Sequence, residues 1–350
     1  MTRPLTALRA ALEWLAPSAR LRPPVRAGWL SGRYPQAVGA GSLRQPCDYF
    51  LYVPATITWR NPVPLLVMLH GCNQDARSFA NGTRMNSLAD EQRFIVLYPQ
   101  QSARANPLRC WNWFQRRTAA GAGEAAAIAA LVRYVARRYP IDRSRVYVAG
   151  MSAGGAMTAI LALCYGAIFA ACGIVSGMMY RAADSAVGAV QAMRTGSRLS
   201  PEHTAVQAAS KVSRRLRLVP TLVMHGGGDA VVHPRNAELT VAQFCKFAEL
   251  ISVPTRPLRG PLEQYITGSG RSYWQRDFAR RQQVLLRSIV IEGLGHAWSG
   301  GDDRELFNDS VPPDASRLLW DFLSEFRRPV EPRWRTVRFW LRQWWRYLRG

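Results

Sequence analysis

The segment RVYVAGMSAGGAMTAILALC, residues 145–164, joins a run of β-branched and aromatic residues to an alanine-rich stretch, with Gly150-Met151-Ser152-Ala153-Gly154 at the junction. Val146, Tyr147 and Val148 favour a strand, whereas the alanines, leucines and methionine that follow favour a helix. A G-x-S-x-G placed between the two requires a sharp turn that only small flanking residues tolerate. The turn lifts the serine hydroxyl to the amino end of the helix, where backbone N–H groups favour developing negative charge. A chain with this unit is constrained to place a strand, a tight turn and a helix against one another.

The same rhythm recurs along the chain. YFLYVP, PLLVMLHG, FIVLYP, RVYVAGMS, ACGIVSG, TLVMHGGGD and LRSIVIEGLGH are short apolar runs closed by Pro or Gly, as buried strands are. Alanine-rich stretches of helical length separate several of them, notably residues 123–138 and 153–164. This alternation predicts an α/β fold with a mostly parallel central sheet flanked by helices. Residues 181–218 break the rhythm and read as a small helical insertion, a candidate lid. A last helix is expected over 314–328, where Leu318, Leu319, Phe322, Leu323 and Phe326 share one face. The organisation that follows is an amphipathic and linker segment at 1–44, a catalytic domain at 45–328 and a basic aromatic tail at 329–350.

Forty-six basic against 23 acidic residues leave a formal charge of +23, and all the basic residues except Lys211 and Lys246 are arginines. Such a field attracts anionic surfaces. No nucleic-acid module accompanies it, so nucleic acid is not the expected partner. The six cysteines include no CxxC pair, and no Cys/His cluster with metal-ligand spacing occurs, so no metal is expected. The N-terminal apolar stretch is short and interrupted by Arg9 and Glu13, a poor secretory signal, which points to a cytoplasmic or surface-associated protein.

A serine hydroxyl needs a base to take its proton and an acid to orient that base. Of the five histidines, His296 follows the last apolar run in the glycine-punctuated loop GLGHAWSGG and is the candidate base. His70 and His203 fall at the wrong place in the order serine, acid, histidine. His225 ends a strand and reads as structural, and His233 lies close behind the acid. Asp229, closing TLVMHGGGD, is the candidate acid; Asp302 and Asp303 are fallbacks in the loop of the base. An oxyanion needs two N–H donors, one from the residue after the serine and one from the loop after an early strand. These are Ala153 and, in HGCNQD, Cys72. Acyl transfer by such a set requires no cofactor.

Taken together, LHGCNQDARSFA, LYPQQ, CWNWF, RVYVAGMSAGGAMTAILA, GGGDAVVHPRNA and GLGHAWSGG resemble the polyhydroxybutyrate depolymerase family of α/β-hydrolase esterases, in the family's order and over residues 47–328. The resemblance implies the α/β-hydrolase fold and ester hydrolysis through Ser152, Asp229 and His296. It leaves the ester open among polyhydroxyalkanoate-type oligomers, small esters, and feruloyl or acetyl xylan esters. It also implies relatives that are often extracellular, which this N-terminus does not match. A serine peptidase on the same fold, and a surface- or nucleic-acid-binding protein that retains only the scaffold, are the competing readings.

Trp111, Trp113 and Trp298 occur in loops expected around the serine, where they are candidates for substrate binding. Cys72 and Cys110 both follow early strands on the same edge, and a disulfide between them is expected if their Cα atoms approach within about 7 Å. In RWRTVRFWLRQWWRYLRG, residues 333–350, arginines at 335, 338, 342, 346 and 349 face away from Trp334, Val337, Leu341, Trp344, Trp345 and Leu348. This is the pattern of a helix lying on an anionic membrane or a polyester granule. Packing onto the protein itself, or a dimer contact, is the alternative.

Overall fold

The computed structural model describes residues 24–34, 47–210, 218–251 and 258–329. In chain order the first half forms β1 (Gly28–Tyr34), β2 (Cys47–Val53), β3 (Val63–Leu69), α1 (Ala76–Thr83), α2 (Met85–Gln92), β4 (Ile95–Pro99), α3 (Arg116–Ala119), α4 (Gly123–Arg138), β5 (Ile141–Met151) and α5 (Ala153–Cys164). The second half forms β6 (Ala171–Val175), α6 (Ala186–Thr195), α7 (Pro201–Ser210), β7 (Thr221–Gly226), α8 (Arg235–Leu250), β8 (Arg259–Ile266), β9 (Tyr273–Arg280), β10 (Gln283–Ile291), β11 (Trp298–Ser299), β12 (Asn308–Asp309) and α9 (Ala315–Ser324).

Ten strands make one sheet in the order β1-β2-β4-β3-β5-β6-β7-β10-β9-β8. The six central strands run parallel, and an antiparallel pair flanks them on each side. The parallel strands read as continuous apolar runs because both of their faces are covered. Alternate residues divide between two cores. Leu65, Val67 and Leu69 of β3 pack with α4, α5 and α8, while Leu66 and Met68 pack with α1, α2 and α9. Shifting β3 by one residue would exchange the two sets, so register is set from both sides.

Helix ends follow local chemistry. Asp75 caps α1 by accepting from the Arg77 and Ser78 amides, and Ser78 returns the bond to the Asp75 backbone N–H. Asp314 caps α9, which buries Leu319, Trp320, Phe322 and Leu323. The helix ends at Ser324, four residues short of the sequence expectation.

The organisation differs from the sequence reading at one point. Residues 28–34, assigned there to a linker, form β1 and pair with β2 along their whole length. Trp29 stacks on Phe50 at 5.3 Å and meets Tyr98 at 5.4 Å, so this strand belongs to the main sheet. Its two glycines and Arg33 hid it, because an edge strand does not need the apolar runs of a central one. The expected amphipathic segment before residue 24 and the basic aromatic tail lie outside the described residues. Among those described, no helix is long and apolar enough to cross a membrane.

Candidate active site

Ser152 follows the last residue of β5, with φ 57° and ψ −119°, and α5 begins at the next residue. A non-glycine residue at positive φ is strained and persists only where its surroundings impose it. Here Ser152 N–H donates to Val175 O at 2.9 Å. A Cβ on Gly154 would collide with the Leu69 and His70 carbonyl oxygens, so α5 packs against β3 only because that residue is glycine. The Ala153 amide, first in its helix, has no acceptor among the described residues, as expected of a helix N-terminus.

The loop after β3 comes up against this turn; a Cβ on Gly71 would meet Ser152 Cβ at 3.3 Å. Gly71 N–H donates to Gln74 Oε1 at 2.8 Å, and Asn73 N–H donates to Leu108 O at 2.7 Å. Between them, the Cys72 amide has no acceptor among the described residues. Cys72 is bonded to Cys110, with Cα atoms 4.2 Å apart, as the sequence led us to expect.

Buried polar groups hold this loop. His70 is fully buried; its Nδ1–H donates to Gly71 O at 2.8 Å, and its Nε2 accepts from Gln101 N–H at 3.1 Å. Burial pulls its pKa down to about 4, which keeps the ring neutral and able to both give and accept. The Gln101 side-chain amide donates to Cys110 O and to Glu124 Oε1, and Glu124 also accepts from the backbone and side chain of Asn112. Burial pushes the Glu124 carboxyl above its ordinary range against these hydrogen bonds.

Asp229 lies in the glycine-rich turn after β7 and is 3% exposed. Its Oδ1 accepts from the Val231 and Val232 amides at 2.9 and 2.8 Å. Its Oδ2 lies 2.7 Å from His296 Nδ1. Burial opposes the charge of Asp229, but the His296 contact, the Val232 amide and His225 together hold its pKa below the usual carboxylate range. Gly227 and Gly228 donate to the carbonyls of Ile291 and Leu294, which docks the His296 loop on the Asp229 turn. Any side chain at Gly226 would strike the Leu294 and Gly295 carbonyls.

His296 and Ser152 both line one cavity of about 380 Å³, together with Leu108, Trp113, Phe114, Met193 and Phe307. No Arg, Lys, Asp or Glu lines it. A larger, more open hollow of about 680 Å³ beside β1 and β2 contains none of Ser152, Asp229 or His296, and its Arg33 and Arg109 are paired with Asp48 and Asp75. Among the described residues no cluster of His, Cys, Asp and Glu could hold a metal ion.

Of the three tryptophans expected to bind substrate, only Trp113 lines the cavity. Trp111 donates its indole N–H to His70 O at 3.1 Å, and Trp298 donates to Ser316 Oγ at 3.1 Å and meets Phe79 edge-on. Both are 1–2% exposed and anchor loops to the core. Asp302 and Asp303 are occupied by Arg304 and Ser310. Sequence reasoning missed Phe307, set edge-on to His296 at 5.7 Å, and the α6 residues Ala189, Val190 and Met193. Phe114 was signalled by its place in CWNWF.

Residues 47–259 match the family described as Esterase PHB depolymerase. The chain belongs to that family. Within it, the chain is 34% identical over 238 residues to the poly(3-hydroxyalkanoate) depolymerase C of Paucimonas lemoignei, covering 67% of this chain and 54% of that protein. The chain thus spans about half the length of this relative. It is 27% identical over 274 residues to the acetylxylan esterase A of Emericella nidulans, covering 76% of this chain and 85% of the relative. The acetyl xylan esterase structure from Aspergillus awamori superposes with a TM-score of 0.63 at 19% identity, over 84% of this chain and 99% of that one. The fold of this PHB depolymerase family member is therefore the α/β-hydrolase fold that the family resemblance implied, built on the mostly parallel sheet that the alternation of strands and helices predicted.

Proposed function

We propose that this chain is a serine carboxylic ester hydrolase that acts on uncharged esters through an acyl-enzyme. Ser152 Oγ attacks the ester carbonyl while His296 Nε2 takes its proton; the C–O bond then breaks and the same proton passes to the leaving alcohol. Water repeats the sequence on the acyl group and releases the acid. Asp229 orients His296 and stabilises its imidazolium, and the Cys72 and Ala153 amides receive the oxyanion. The observation that carries this reading is the 2.7 Å contact of Asp229 Oδ2 with His296 Nδ1, on a histidine that shares its cavity with Ser152.

The cavity narrows the substrate class. In a chain of formal charge +23, no Arg, Lys, Asp or Glu lines it; apart from Ser152 the walls are aromatic, aliphatic, sulfur-bearing or amide. A carboxylate or ammonium in such a space would lose hydration without gaining a partner. A neutral hydroxyalkanoate oligomer or small aliphatic ester meets no such penalty, and the relatives named for polyhydroxyalkanoate and acetylxylan favour such uncharged acyl groups. The test is a panel of p-nitrophenyl esters of matched length, with neutral and with ω-carboxylate acyl chains, alongside a peptide amide. We expect kcat/KM to favour the neutral esters by on the order of 100-fold. Equal rates on charged and neutral acyl groups, or faster amide cleavage, would contradict the proposal.

The insertion at 181–218 supplies a cavity wall through α6, and we read it as the cover of the acyl site. For the tail at 333–349, the alternation of arginine with tryptophan supports attachment to an anionic membrane or granule surface. Equal co-sedimentation of the full chain and a 1–330 truncation with phosphatidylglycerol vesicles would remove that reading.

A further inference from the structure

His225, the fully buried penultimate residue of β7, takes no part in the reaction described above, yet it touches the acid. Its Nε2 lies 2.7 Å from Val232 O and 3.5 Å from Asp229 Oδ2. A carbonyl oxygen only accepts, so the Nε2 carries the hydrogen. The Val232 amide in turn donates to Asp229 Oδ1 at 2.8 Å. Residue 232 is thus held from both sides, its carbonyl by His225 and its N–H by Asp229. The contact with Oδ2 is too long for a direct hydrogen bond and acts as a dipole aimed at the carboxylate.

We propose that His225 is a positioning residue for Asp229: its Nε2–H fixes the 229–232 turn and leans on Oδ2, so that this oxygen faces His296 Nδ1. The proposal rests on the assignment of Asp229 and His296 as acid and base. The titratable groups facing His225 are Asp229, His296 and His233. Burial holds the His225 ring neutral, so it adds no positive charge that would compete with the imidazolium of His296. A neutral donor here supports the carboxylate without neutralising it, whereas a protonated ring would draw the carboxylate away from His296.

Glutamine and asparagine separate the two ring nitrogens, since the glutamine amide nitrogen reaches the ε2 position and that of asparagine only the δ1 position. Steady-state kinetics against pH on a neutral p-nitrophenyl ester would be compared for wild type, His225→Gln, His225→Asn and His225→Leu. Asp229→Asn and His296→Ala serve as controls. We expect His225→Gln to keep kcat within about threefold, and His225→Asn and His225→Leu to lose about tenfold or more in kcat with KM little changed. In those two the apparent pKa of the base in kcat/KM falls, because Asp229 supports the imidazolium less well. Asparagine equal to glutamine, or a leucine variant with the wild-type pH profile, overturns the role of His225. Should the leucine variant fail to fold, the comparison of asparagine with glutamine decides alone. Persisting activity in Asp229→Asn and His296→Ala would instead remove the acid and base assignment on which the proposal stands.

Discussion

Cys110 is disulfide-bonded to Cys72, so the loop that carries Trp113 is tied covalently to the loop that carries the proposed oxyanion donor. The Cys72 amide is thereby placed by two agents, the disulfide and the His70, Gln101 and Glu124 hydrogen bonds behind it. A donor that must meet a transient charge works best when it cannot move away.

Replacing both cysteines with serine tests this coupling. For a closed loop of 38 residues, the chain-entropy estimate is about 4 kcal/mol of stability. We expect a lower urea midpoint and a fall in kcat of about tenfold or more, with KM less affected. Thermal or urea unfolding with parallel kinetics would show it, and an unchanged kcat in the folded double variant would detach the disulfide from the oxyanion loop.

Acid should destabilise the fold through its buried histidines. His70 titrates at about 4 in the folded protein against an ordinary value near 6.5, and His225 is shifted in the same direction. The unfolded chain therefore binds protons more readily between these values. Their contribution is present in full above pH 6.5 and is lost as pH falls towards 4, about 3 kcal/mol for His70. His70→Gln should flatten the dependence of Tm on pH over that window, although it lowers Tm at neutral pH.

Glu124→Gln replaces one acceptor oxygen by an NH₂ that must face donors from Gln101 or Asn112. Leaving a buried donor unmatched costs about 1–3 kcal/mol. A drop in Tm with greater proteolysis in the 101–112 loop is the expected signature.

Trp113→Ala and Trp298→Ala separate lining from anchoring. The first should raise KM for bulky acyl groups while short ones are hydrolysed nearly normally. The second should cost about 3–5 kcal/mol in stability and leave the acyl-length profile unchanged. Calorimetry and an ester-length series distinguish them.

Much of this architecture was legible because the parallel strands are buried on both faces and must be apolar throughout. β1, β8 and β9 carry no such demand. Nearly all of β8 is exposed, and Asp277 of β9 finds its ion-pair partner, Arg287 of β10 at 2.7 Å, only across the folded sheet. Ser152, Asp229 and His296 could be singled out as candidates because each follows a strand in a glycine-bearing turn, a local signal, and the structure brings them to one place. The direction in which a loop side chain points is not local. Trp111 and Trp298 were therefore grouped with Trp113, although their indole N–H groups find partners in the interior, and Phe307 and Met193 reach the cavity from segments with no motif.

The most direct test of the proposed chemistry is the pre-steady-state release of p-nitrophenol from a neutral ester by wild-type protein and Ser152→Ala. The wild type should give a burst of about one equivalent per chain followed by slower turnover, because the activated p-nitrophenyl ester acylates Ser152 faster than water clears the acyl-enzyme. The Ser152→Ala protein should show no burst and a turnover lower by on the order of 10⁴-fold or more. A Ser152→Ala protein that retains the burst or the wild-type rate would contradict the account.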